Sequence, residues 1–113
     1  MRHTLIGKNL EVTPELREYF DSKVARLDRL IPTFSDHLVS LQATVEKNLK
    51  RGDYSTSLSL HFPQQTLHAE EQSRDLKGAI RSAFAEIIRQ VDRFKSKLRR
   101  EHRWAASKHE VNL

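Results

Sequence analysis

Residues 38–71 read LVSLQATVEKNLKRGDYSTSLSLHFPQQTLHAEE. Apolar and polar residues alternate through three runs in this stretch, the period-two signature of half-buried strands. Val39, Leu41, Ala43 and Val45 share one face of the first run, with Ser40, Gln42 and Thr44 on the other. Thr56, Leu58, Leu60 and Phe62 form the inward set of the second run, Tyr54–Phe62, and Leu67 and Ala69 that of the third, Thr66–Glu71. Asn48–Asp53, with Gly52, and Pro63-Gln64-Gln65 carry the turn residues between them. Matching the apolar faces predicts a register: Leu41 opposite Leu60, Ala43 opposite Leu58, Leu60 opposite Ala69 and Phe62 opposite Leu67. A one-residue slip would turn each apolar set to water.

Upstream, His3–Lys8 is a further short strand. Thr13-Pro14-Glu15 opens a helix: threonine suits the N-cap, proline suits N1 because its missing N–H costs nothing there, and glutamate complements the dipole. Leu16, Phe20, Val24, Leu27 and Ile31 form its buried stripe, and Pro32 ends it. Downstream, Ser73 is positioned to cap a long helix over Asp75–Arg103, with Asp75 in the first turn and a seam of Leu76, Ile80, Ala83, Phe84, Ile87, Val91, Phe94 and Leu98. The element order is β-α-β-β-β-α. A right-handed crossover makes the first two strands parallel, and an antiparallel meander follows. The expected fold is α+β: two layers, a four-stranded mixed sheet with both helices on one face, similar in outline to double-stranded-RNA-binding domains. Residues 1–103 form one domain and residues 104–113, from Trp104 on, a tail that frays.

Composition narrows the function. The 113 residues carry a net charge of +5 and a sequence pI near 9.8. Ten basic residues lie between Arg74 and Arg103 against four acids, so this helix alone accounts for the excess. That asymmetry points to a polyanionic partner. No apolar run reaches the length of a membrane span and no secretory apolar core follows Met1, so the expected location is cytoplasmic, with no membrane partner. Zero cysteine excludes disulfides and thiolate chemistry. No Gly-rich phosphate loop, nucleophile elbow or zincin motif is present, so neither a catalytic residue nor a cofactor is expected. The register places His61 across from His68 on the open sheet face. Two imidazoles fall short of the three or four ligands a zinc site needs, so no metal is assigned.

The basic residues segregate on helical wheels. Lys23, Arg26 and Arg29 line one flank of the first helix, whereas Glu18, Asp21 and Asp28 lie on the other. On the second helix Lys77 and Arg81 lie along one flank, and Arg89 and Arg93 face outward. If the helices lie side by side, the basic edges combine into one groove. About six phosphate contacts there would give a slope of log K against log salt of about −4 to −5. The competing reading is a solvated face with dipole compensation near the helix C-terminus, for which ten cations are more than required.

Two segments carry a resemblance. Gly7-Lys8-Asn9-Leu10-Glu11-Val12-Thr13-Pro14-Glu15-Leu16-Arg17 resembles the opening of the ribosome hibernation factors, the hibernation promoting factor and ribosome-associated inhibitor A proteins, also called sigma-54 modulation proteins. Leu67-His68-Ala69-Glu70-Glu71, then Asp75-Leu76, Ala79-Ile80 and Arg89-Gln90, resembles that family's second signature. The similarity covers about residues 1–100 and agrees with the derived element order. It implies a translation inhibitor that acts in stress or stationary phase. Such a protein docks on small-subunit rRNA near the decoding centre and blocks the tRNA and mRNA path, with no catalysis and as a monomer when free. Lys23, Arg26, Arg29, Arg89 and Arg93 match basic family positions. Lys77 and Arg81 do not, and rest on charge and wheel position alone. Ile88, amid basic neighbours, and the acidic flank of the first helix leave open a protein-interaction regulator on the same fold, and a general structured-RNA binder is the third reading.

Overall fold

The computed structural model describes residues 1–31 and 38–111, with side chains given for 1–31 and 38–97. The order is β1 (Arg2–Lys8), α1 (Pro14–Leu30), β2 (Ser40–Lys47), β3 (Tyr54–His61), β4 (Thr66–Ser73) and α2 (Leu76–Val111). The strands lie in the order β1-β2-β3-β4, with β1 parallel to β2 and the other pairs antiparallel. The expected α+β architecture is therefore the observed one. One core joins the inner sheet face to both helices. Phe20 of α1 and Phe84 of α2 meet edge to face in its middle, ring centroids 5.6 Å apart at 64°. Such a pair adds about 0.5–1.5 kcal/mol beyond the area it buries.

The helix starts follow from their caps. Thr13 is extended and its Oγ1 accepts from the Leu16 N–H at 3.2 Å. At the other end Ile31 has left helical geometry, as a residue before proline should. The cap of α2 is Asp75 rather than Ser73: Oδ2 accepts from the Gly78 N–H at 2.9 Å, and Ser73 Oγ donates to Oδ1 at 3.2 Å. Strand β4 runs on through Ser73, so Ser73 braces the cap from the end of the sheet. Helix α2 also extends past the expected Arg103 to Val111. Its 36 residues span about 54 Å, whereas eight-residue strands reach only about 27 Å, so its C-terminal part overshoots the sheet. Phe94 is the last seam residue among the described side chains, its ring centroid 4.6 Å from that of Phe62. The expected seam position Leu98 and the side chains of Trp104 and the tail lie outside the described residues.

The β2–β3 register is the expected one, with Leu41 against Leu60 and Ala43 against Leu58. The β3–β4 register is not. Leu58 faces Ala69 and Leu60 faces Leu67, two residues from the predicted alignment. The turn is the cause. The Phe62 N–H donates to the Gln65 carbonyl at 2.8 Å, which closes the hairpin around Pro63 and Gln64 alone. A slip of two keeps every apolar side chain on its face, so the hydrophobic pattern cannot detect it. The predicted His61–His68 pair is consequently absent. His61 Nδ1 lies 3.1 Å from Thr66 Oγ1, and His68 Nδ1 lies 3.1 Å from Ser59 Oγ, so each imidazole has a hydroxyl neighbour instead.

Three residues take their places from contacts across the fold. His3 stands on the inner face of β1: its ring centroid lies 6.0 Å from that of Phe20, and Nε2 lies 3.3 Å from Asp21 Oδ1. Gly7 permits a close return of the chain, since a Cβ there would lie 2.8 Å from the Leu10 carbonyl oxygen. Glu71 projects from the inner face of β4 opposite the buried Thr56, and is half-buried.

Candidate nucleic-acid interface

Helices α1 and α2 lie side by side on the sheet, and their facing flanks enclose a shallow cleft of about 240 Å³. Lys23 and Arg26 of α1 and Arg81 of α2 line it, over a floor of Phe84, Ala85 and Ile88. Three cations and no acid surround that floor. The spacing accounts for the geometry. Lys23 and Arg26 are three residues apart and share a flank, and Arg81, Ala85 and Ile88 rise along α2 in steps of four and three. The seam residues beside them fix how both helices rotate about their axes: Val24 and Leu27 on α1, Phe84 and Ile87 on α2.

Tyr19 extends the site, and sequence reading missed it. Its ring sits between two ammonium groups, Lys23 Nζ at 5.4 Å and Lys77 Nζ at 5.5 Å from the centroid. Its hydroxyl donates weakly, at 3.4 Å, to the Lys77 carbonyl. One aromatic ring thus gathers a lysine from each helix, at about 0.5–1 kcal/mol per exposed contact. Only the position of Tyr19, four residues before Lys23 on the same flank, hinted at this. Arg29 is exposed and continues the α1 row three residues beyond Arg26. Among the described residues no carboxylate lies within ion-pair distance of Lys23, Arg26, Arg29, Lys77 or Arg81. Like charges held together cost free energy, and at physiological salt such repulsion is screened only beyond about 8 Å. An arriving polyanion relieves that repulsion.

The remaining predicted residues do not join this cleft. Arg89 reaches Glu86 at 2.6 Å on the outer face of α2. Glu86 also accepts from Gln90 Nε2 at 3.4 Å, and the same amide nitrogen donates to the His68 carbonyl of β4 at 2.8 Å. Arg93 lines a second hollow of about 280 Å³ on the β4 side of α2, with Gln65, Leu67, Gln90, Phe94 and Lys97. The expected basic surface is therefore divided by α2 into two flanks. Ile88 is half-buried in the cleft floor rather than fully exposed. The acidic flank of α1 is also partly occupied, with Asp21 beside His3 and Asp28 Oδ1 3.7 Å from the Met1 amine. Both features put forward for a protein partner are thus partly covered within the domain. Among the described residues no group of three or more potential metal ligands occurs, and no helix is long and apolar enough to cross a membrane.

A two-layer β-α-β-β-β-α domain with three cations around a cleft between its helices defines the class: a small α+β module with a basic interhelical surface. The chain belongs to the sigma 54 modulation protein / S30EA ribosomal protein family, whose model matches residues 4–99. It is 34% identical over 95 residues to a ribosome hibernation promotion factor of Deinococcus radiodurans, covering 84% of this chain and 49% of that protein. A Bacillus subtilis protein of the same name is 31% identical over 106 residues, covering 91% and 53%. The chain thus spans about half the length of these two relatives. The Escherichia coli K12 ribosome hibernation promoting factor is 25% identical and 98% covered. Among solved structures, the Thermus thermophilus Protein Y N-terminal domain superposes with a TM-score of 0.71 at 30% identity, covering 83% of this chain and 99% of that one. A ribosomal subunit interface protein from Coxiella burnetii reaches the same TM-score at 19% identity, a likeness of fold alone.

Proposed function

We propose that this chain is a ribosome-binding hibernation factor. It docks on small-subunit rRNA near the decoding centre and blocks the tRNA and mRNA path under stress or in stationary phase. The observation that carries the reading is the interhelical cleft. Two helices far apart in sequence bring Lys23, Arg26 and Arg81 to one hollow, with Lys77 joined through Tyr19 and no acid in the lining. Arginine forks suit this use because each holds two phosphate oxygens at once. Names given to the relatives supply the ribosome as the polyanion. Arg89, on the outer face of α2, and Arg93, on its β4 side, meet a separate stretch of rRNA backbone. The protein acts in the cytoplasm as a monomer when free, and its role is steric rather than catalytic.

Sedimentation tests this directly. The protein should travel with small subunits through a sucrose gradient at low salt and leave them as salt rises. Recovery only in ribosome-free fractions at low salt refutes the proposal. Binding that survives nuclease treatment with a shallow salt slope would assign the surface to a protein partner.

A further inference from the structure

The interhelical cleft is not built for phosphate alone. Its lining sets three cations beside three apolar residues: Phe84, which is almost wholly buried, the exposed Ala85 and the half-buried Ile88. A phosphate pressed onto that floor would shed water and find no donor beneath it. The floor instead suits a flat body with apolar faces and a polar rim. At about 240 Å³ the hollow lies below the roughly 300–1,000 Å³ of pockets for drug-sized ligands, a size that suits one ring system. Two arginines at the rim, Arg26 and Arg81, offer planar guanidinium faces that stack on a base as well as forks that hold its flanking phosphates. A continuous duplex cannot enter, because its bases are stacked inside and its backbone ridge is charged along its length.

We propose that this cleft takes a single unpaired nucleotide of RNA, its base turned onto Phe84, Ala85 and Ile88 and its flanking phosphates held by Lys23, Arg26 and Arg81. The proposal rests on the rRNA-docking reading and deepens it. The surface recognises an extruded base at a bulge or loop, not merely negative charge. The lysine pair on Tyr19 extends the same flank beyond the cleft, where the chain entering or leaving the site would lie.

The test uses the full chain and two RNA hairpins of equal length. One is fully paired, and the other carries one bulged 2-aminopurine. The bulged hairpin should bind roughly tenfold more tightly, a ratio in the range that stacking of one base on a side chain provides. The 2-aminopurine fluorescence should change on binding. Ile88→Gln and Ala85→Gln fill the hollow without altering charge and should bring the affinity ratio to about one. Ile88→Leu should preserve it. Ala85 is exposed, so its variant keeps the fold even if the Ile88 variant does not. Equal affinity of the unaltered chain for both hairpins overturns the inference, as does a preference that survives Ala85→Gln. If small subunits still bind with a steep salt slope in that case, only the unpaired-nucleotide reading falls. If neither ribosomes nor RNA bind, the docking reading falls with it.

Discussion

Neutralising Arg26 and Arg81 together, as Arg26→Gln with Arg81→Gln, asks whether the cleft is the contact surface. Five cations occupy this flank of the molecule: Lys23, Arg26, Arg29, Lys77 and Arg81. If each neutralises one phosphate, log K should fall against log salt with a slope of about −3.5 to −4.5, at roughly 0.7–0.9 per contact. The double variant should lower the slope to about −2.1 to −2.7. At 0.1 M monovalent salt each lost contact costs roughly five- to eightfold, so the pair costs about 25- to 60-fold. The assay is binding to purified small subunits between 50 and 200 mM potassium chloride at fixed magnesium. Lys50→Gln with Arg51→Gln, on the exposed β2–β3 turn, removes the same charge elsewhere and should change affinity by less than about threefold. Equal losses from the two double variants would refute the reasoning, because binding would then follow net charge and not the cleft. An unchanged slope in the cleft variant would refute it as well. Circular dichroism must show both variants folded, which exposed arginines at helix surfaces allow.

Three further outcomes test the fold that positions the site. Thr13→Ala removes the acceptor of the Leu16 N–H and should cost about 1 kcal/mol in urea unfolding with little change in m-value; no loss would mean that the cap is not holding α1. Thr56 Oγ1 is buried without a hydrogen-bond partner among the described residues, so Thr56→Val should be neutral or stabilising by up to about 1 kcal/mol. A loss above about 1 kcal/mol would show that the hydroxyl is satisfied. Gly7→Ala drives a methyl against the Leu10 carbonyl and should destabilise by roughly 1–3 kcal/mol in the same assay, and an unaffected midpoint would contradict the close approach.

The arrangement also gives cations on different faces of α2 different surroundings. Arg89 has a carboxylate at hydrogen-bonding distance, so part of its field is already answered within the helix. The cations around the interhelical cleft have no such neighbour among the described residues. Gln90 fills a structural place between the flanks. By donating to the His68 carbonyl it ties α2 to the outer edge of β4, where strand groups otherwise face open space.

Sequence alone determined the elements, the faces and the segregation of charge along each helix. Alternation from Val39 to Ala69 and the seam from Leu76 to Phe94 are periodic signals, and burial of those residues is the physical cause of the pattern. Thr13 and Pro14 marked a helix start through local backbone chemistry, which needs no tertiary context. Even the segregation of Lys23, Arg26 and Arg29 from Asp21 and Asp28 was legible, because a helix has a fixed angular step. Tertiary structure decided what those periods leave degenerate. The β3–β4 alignment differs from the expected one by two residues, and hydrophobic parity is blind to an even slip; the Phe62–Gln65 closure selected the register and separated His61 from His68. Which cations meet was equally hidden. Lys23 and Arg26 lie more than fifty residues from Arg81, and only the packing of two seams on one sheet brings them across a single cleft, while the same rotation leaves Arg89 on the outer face of α2 and carries Arg93 to the far flank. Charge and periodicity act along one element. The site exists between two, and its geometry is set by the core that neither helix could bury alone.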